Sequence, residues 1–184
     1  LLLSFSFFLL QSLCAQNKET FVDALDIFDP NRIEDITYKL VLYNQNNDKL
    51  SDIAILERSI SKEKYNQTPS IKITEEYTNS ETNTKTLCYV ESKTLLPLYL
   101  EVNTNDTLTK QYNFEKNKIY LTEIRNSEEI KKELDYQAGA FLSNSFSEIL
   151  QSIDFSNYKK VQFSTFSPGK NPGIFNVEVI DEKK

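Results

Sequence analysis

The chain has no histidine among its 184 residues. A Ser-His-Asp or Cys-His nucleophile system cannot be built from it, nor can a histidine zinc site. Its three glycines, Gly139, Gly169 and Gly173, match neither the phosphate-cradling P-loop nor the dinucleotide fingerprint, so no nucleotide cofactor is expected. Carboxylate-only chemistry stays open, as in glycosidases where two acids flank the scissile bond. With 27 Asp and Glu, however, no spacing nominates a pair. The densest acidic group, Asp23, Asp26 and Asp29, offers oxygens of the kind calcium prefers, but its spacing runs along a helix and not around a tight ligand loop. A helix start, a solvated face and a stop signal account for it better. The expectation is a protein that is not an enzyme, with no catalytic residue, no metal site and no cofactor; a carboxylate-dependent hydrolase is kept as a third reading.

The opening stretch, LLLSFSFFLLQSLCAQN, is apolar at eight of its first ten positions and uncharged before Lys18, as in the apolar centre and exit of a secretory signal peptide. Cleavage after Ala15 is expected, leaving a single domain over 16–184; the stretch is too short to span a bilayer. The competing reading makes Cys14 a lipid-anchored cysteine, and the bulky Leu13 before it disfavours that. With Cys14 removed, Cys88 stands alone in an oxidising compartment and reads as a small buried strand residue. Asn66-Gln67-Thr68 and Asn105-Asp106-Thr107 match the glycosylation pattern, as chance allows in so Asn-rich and Thr-rich a chain. A net charge of −6, spread without blocks, opposes binding to nucleic acid or to an anionic membrane surface.

The elements that would position any site follow from periodicity. Phe21, Val22, Leu25 and Phe28 lie at helical spacing, with Thr20 and Asp23 as a capping-box-like start and Asp29-Pro30 as a stop. From Thr37 the period becomes two. Three strands are predicted through TYKLVLY, SDIAILERSI and SIKITEEY, then a polar connection over 78–85. TLCYVE, LLPLYLEV, LTKQYNFE and KIYLTEI follow as four strands joined by hairpin-type turns. Leu96, Leu98, Leu100 and Val102 share one face, with Tyr112 and Phe114 placed to meet them across the ladder. Pro97 has no amide hydrogen to donate, so it must sit at a strand start, a bulge or an edge. After the charged run NSEEIKKELDY, Ser145 and Glu148 read as a capping box opening a helix with Phe146, Ile149, Leu150 and Ile153 on one stripe. KKVQFSTF and IFNVEVI complete the set as strands around a Pro-Gly turn.

Two stretches carry a resemblance. VESKTLLPLYLEVNTNDTLTKQYNFEKNKI resembles exported bacterial β-proteins of the periplasmic lipoprotein-carrier half-barrels, where a Thr-Leu-Leu-Pro type segment opens a strand and a hairpin returns. AFLSNSFSEILQSIDFSNYKKVQFSTFSPG resembles a family of exported domains of unknown function, in which an amphipathic helix precedes a strand ending in an aromatic-x-Pro turn. The resemblance implies a mainly β (α+β) fold, a curved antiparallel sheet or half-barrel wrapping one or two short helices. Its apolar concavity would receive acyl chains and would be lined by Leu98, Leu100, Tyr112, Phe114, Ile149 and Ile153. The strands expected beyond Val179 are missing, so truncation at the C-terminus and an open sheet edge are expected.

Two functional readings follow. In the first, a non-catalytic exported envelope protein, periplasmic or extracellular, binds a lipid or lipoprotein acyl chain in the half-barrel. In the second, a structural or interaction module pairs with another envelope protein through an open sheet edge. Neither involves nucleic acid or a transmembrane segment.

Overall fold

The structure, a computed structural model, describes residues 21–46, 49–170 and 172–180. The expected signal peptide, Cys14 and the helix-start residue Thr20 lie outside the described residues.

Eight strands run as an uninterrupted antiparallel meander in sequence order: β2 (Ile36–Asn46), β3 (Lys49–Tyr65), β4 (Thr68–Thr78), β5 (Asn83–Glu91), β6 (Pro97–Thr104), β7 (Leu108–Glu115), β8 (Lys118–Arg125) and β9 (Glu128–Asp135). Two-residue loops explain the tight connections. Asn66 and Gln67 both have positive φ, as do Asn126 and Ser127, which is what a turn matching strand twist requires. A second, smaller sheet is centred on β11 (Lys160–Phe166). It pairs in parallel with β1 (Val22–Asp23) and β10 (Phe141–Leu142), and antiparallel with β12 (Gly173–Glu178). Among the described residues the one α-helix, α1 (Phe146–Ser152), follows β10 through a 3-10 turn. The described residues are therefore mainly β with a single short helix, the class the sequence predicts.

Period-two alternation builds the core. Ile60, Ile73, Cys88, Leu100, Tyr112 and Leu121 are register partners from β3 to β8, so they form one transverse row on the inner face. All six are buried. Facing them are Phe141, Leu142, Ile149, Val161 and Phe163 from the small sheet and α1, which join the same apolar cluster. Burying each such side chain contributes about 1.5–3 kcal/mol.

Pro97 is the first residue of β6 and sits beside a register shift between Tyr89 and Val90, the position its missing N–H demands. Gly139, at φ +84, makes the bend before β10; a Cβ there would lie 3.1 Å from Leu25 Cδ1.

Three sequence expectations need correction. The stretch 21–28 is not an α-helix: Val22 and Asp23 pair with β11, and two 3-10 turns follow. Asp23 accepts from Leu25 N and Asp29 from Asn31 N, each at 3.0 Å, so both acids serve as local caps. Ser145 and Glu148 do not form a capping box. Ser145 Oγ donates to Leu142 O at 2.8 Å, and the Glu148 carboxylate is taken by an arginine from the sheet. The charged run Glu128–Asp135, given no element from the sequence, is strand β9.

Candidate functional site

The six residues expected to line an apolar concavity are not equivalent in the fold. Leu100, Tyr112, Ile149 and Ile153 are 0–3% exposed and belong to the packed core. Phe114 is half-buried against that core, edge-on to Tyr136 and Phe166. Leu98 lies beside the register shift and is half-buried, outside the residues packed on the core. The first four are thus brought together as core contacts between sheet and helix.

Next to that apolar row lies a charged one. Tyr38, Arg58, Glu75 and Thr86 are successive register partners across β2 to β5 on the same inner face. Arg58, 5% exposed, pairs with Glu75 and donates through Nη2 to Glu148 Oε2 at 2.7 Å and to Asn144 O at 2.6 Å. Asn144 Nδ2 donates to Glu75 Oε2 at 2.7 Å, closing the ring, and Ser147 Oγ donates to the other oxygen of Glu148. Glu148 is fully buried, so its charge is tolerated only because Arg58 meets it. The network clamps the start of α1 onto the sheet. Cys88, buried nearby, has its thiol pKa pushed far up by burial, with the Glu148 carboxylate adding to the effect and Arg58 opposing it. It is an inert side chain and no nucleophile.

On the outer face, a trough of about 460 Å³ crosses β3 to β6, with Glu57, Lys72, Thr74, Glu76, Lys85, Leu87, Glu101 and Asn103 among its walls. Its charges are largely answered within the sheet: Glu57 by Lys39 at 2.7 Å, Lys72 by Glu63 at 3.2 Å, and Glu101 by Tyr99 Oη at 2.6 Å and Gln111 Nε2 at 3.0 Å. Beside it, Tyr65 stacks on Tyr89 and Tyr99 with centroids 4.6 and 5.6 Å apart. The rings contact one another, so their faces are largely committed to that stack. This is a cross-strand ladder on a solvated face. Among the described residues, no three acidic or sulfur side chains converge to hold a metal ion.

Exposed apolar side chains are instead concentrated on the β2–β3 hairpin. It runs past the end of β4, whose pairing with β3 stops at Ile55. Ile36, Leu40, Val41, Leu42, Tyr43, Leu50, Ile53 and Ile55 are each 41–64% exposed. Register divides β2 between two faces. Ile36, Leu40 and Leu42 pair with Ile60, Leu56 and Ala54 on the core side, while Val41 pairs with Ile55 on the outer side. Both faces are apolar, and among the described residues β2 is the terminal strand of the sheet.

The sequence carries this signal. In YKLVLY the apolar residues occupy both parities, which a strand with one solvated face does not need.

No family model matches the chain, and neither does any curated protein or solved structure. No helix among the described residues is long and apolar enough to cross a membrane.

Proposed function

We propose that this protein is a non-catalytic interaction module of the cell envelope that engages a polypeptide partner through the β2 edge and the apolar faces of the β2–β3 hairpin. The observation that carries the reading is the concentration of exposed apolar side chains on a terminal strand bearing one charge, Lys39, in eleven residues. An unpaired, apolar edge strand is a template for pairing with another chain, and soluble proteins normally blunt it with charge, proline or cover. Strand addition would pair the outer edge of β2 over Ile36–Leu42 while the partner's side chains cover Leu40 and Leu42 on one face and Val41 on the other.

The test is site-specific cross-linking in the parent cells, with a photoreactive residue at Val41 and a control at Ile130 on the opposite edge. The expected result is a discrete polypeptide adduct from Val41 and none from Ile130. No adduct from Val41 would remove the reading.

A second reading is favoured by one further feature. Beyond the Arg58 row the inner face continues through Leu40, Leu42 and Leu56 without α1 above it, and a cavity of about 190 Å³ lies farther along, between Val102, Leu108, Tyr112 and the Pro168-Gly169 turn. A lipid or acyl chain would lie against this strip and share only Tyr112 with the six residues expected to line a concavity. Native mass spectrometry of gently extracted protein should then show a bound lipid that Leu42→Asp removes; bare protein in both preparations argues for the polypeptide partner alone.

A further inference from the structure

We infer that the chain covering the β2 edge is a second copy of this protein, joined by antiparallel pairing of β2 with its symmetry mate about a two-fold axis. The inference rests on the docking role proposed for β2 and names its occupant. Antiparallel pairing of a strand with itself is an isologous contact, so a feature on one copy must suit the same feature on the other. β2 meets that condition. Its one charged residue is Lys39, already paired with Glu57 of β3 at 2.7 Å. A register centred on Lys39 would set two ammonium groups face to face. Moving the axis one residue, to Leu40, places Leu40 against its mate, Tyr38 against Leu42, and Lys39 against Val41, so no like charges meet.

The ladder with β3 is regular over this span. The register shift in the β2–β3 ladder falls between Leu42 and Asn44, beyond the paired centre. Joining the two meanders would give one continuous sheet in which the inner row ending at the exposed Leu40 runs on into Leu40 of the second copy. The exposed side chains of the hairpin, each about half accessible, offer on the order of several hundred Å² per copy, approaching the ~800 Å² per partner typical of stable interfaces. The contact is also closed. Both new outer edges are copies of β9, where six of eight residues are charged, so assembly stops at two.

Sedimentation velocity of the full mature chain across micromolar concentrations tests the inference. The expected result is a dimer whose dissociation constant rises at least about tenfold in Leu40→Lys, because two added ammonium groups would face each other at the axis. Ile130→Lys on β9 should leave the dimer unchanged. Circular dichroism confirms that Leu40→Lys, a change at a half-exposed position, is folded. A second variant fixes the register: Leu40→Cys should form an intermolecular disulfide under mild oxidation, since directly opposed residues of an antiparallel pair lie within disulfide reach. A monomer at every concentration overturns the inference, as does a dimer that dissociates in Ile130→Lys and persists in Leu40→Lys. If the wild-type chain is monomeric while Val41 still captures a different polypeptide in cells, the two-fold pairing fails and the docking role stands.

Discussion

The two edges of the eight-stranded sheet are built on opposite principles. β9 reads EEIKKELD, is exposed at all but Leu134, and links back to β8 through Lys118, which meets both Glu133 and Asp135 at 2.9 Å. β2 reads ITYKLVLYNQN and exposes leucine, valine and tyrosine. Among the described residues both strands have an unpaired side in the same sheet, so geometry alone does not explain the difference. Charge along an edge makes strand addition costly because an incoming chain must desolvate or oppose it. On the docking role proposed for β2, the apolar edge is the one a partner would cover; the interior offers no comparable surface, because its apolar row is already closed by α1 and the small sheet.

The largest effect should come from releasing the clamp that fixes the β2 side of the sheet to α1. Arg58→Ala leaves Glu75 and the fully buried Glu148 without their cation, and urea unfolding should show a loss of about 3–5 kcal/mol. Replacing Arg58, Glu75 and Glu148 together by apolar residues of similar volume should cost far less, since no buried charge is then stranded. If the single and triple variants were equally unstable, Arg58 would be acting through packing, and the contrast between a clamped interior and an open edge would lose its electrostatic basis.

Cys88 reports on the same closure from the middle of the row. Its thiol is fully buried and its pKa is far above the ordinary value, so thiolate is scarce and unreachable in the folded state. Labelling with a thiol reagent at pH 8 should be at least about 100-fold slower in the native protein than in urea. Rapid native labelling would mean that the interior opens between the edges, and the carrier-like reading would gain over the edge-docking one.

A smaller effect separates the edges directly. Val41→Thr and Ile130→Thr both change an exposed β-branched residue at a sheet edge, and each should alter monomer stability by no more than about 0.5 kcal/mol. Only Val41→Thr should weaken assembly. Equal effects on assembly would erase the distinction between β2 and β9.

How much of this was visible in the sequence depends on which force dominates each segment. The strands from β3 to β8 were legible because one face of each is buried, and burial writes itself as alternation. β9 was not, because EEIKKELD is solvated on both faces and its only organising force is the ladder with β8. The first helix failed for a different reason: Phe21, Val22, Leu25 and Phe28 have the right spacing, but the parallel pairing of Val22 with Val161 draws the segment into the small sheet. Glu148 shows how a local motif is overridden. Ser-Phe-Ser-Glu satisfies the capping pattern, yet a sequence-distant arginine offers the carboxylate a stronger partner inside the core. The candidate site was half legible. The apolar strand was found, while its position at the sheet end, which makes it a site, exists only in the fold.

The smallest effect is electrostatic and belongs to β9. Bonding to Lys118 holds the Asp135 carboxyl below its ordinary pKa and holds the Lys118 ammonium above its own. A depressed folded-state carboxyl pKa means the contribution is present in full above the unfolded value and is lost as pH falls through the folded one. Stability should therefore decline slightly below about pH 4, less so in molar salt, and Asp135→Asn should flatten that part of the curve. The change is small because Asp135 is open to solvent, where ion pairs are weak. At β2 the hydrogen bond to Glu57 holds the Lys39 ammonium above its ordinary pKa, and the leucines and valine carry no proton. Acidification from pH 7 to 5 should therefore leave assembly through β2 intact. An association that vanished over that interval would place the contact among the carboxylates, at β9 or in the outer trough, and would reverse the roles of the two edges.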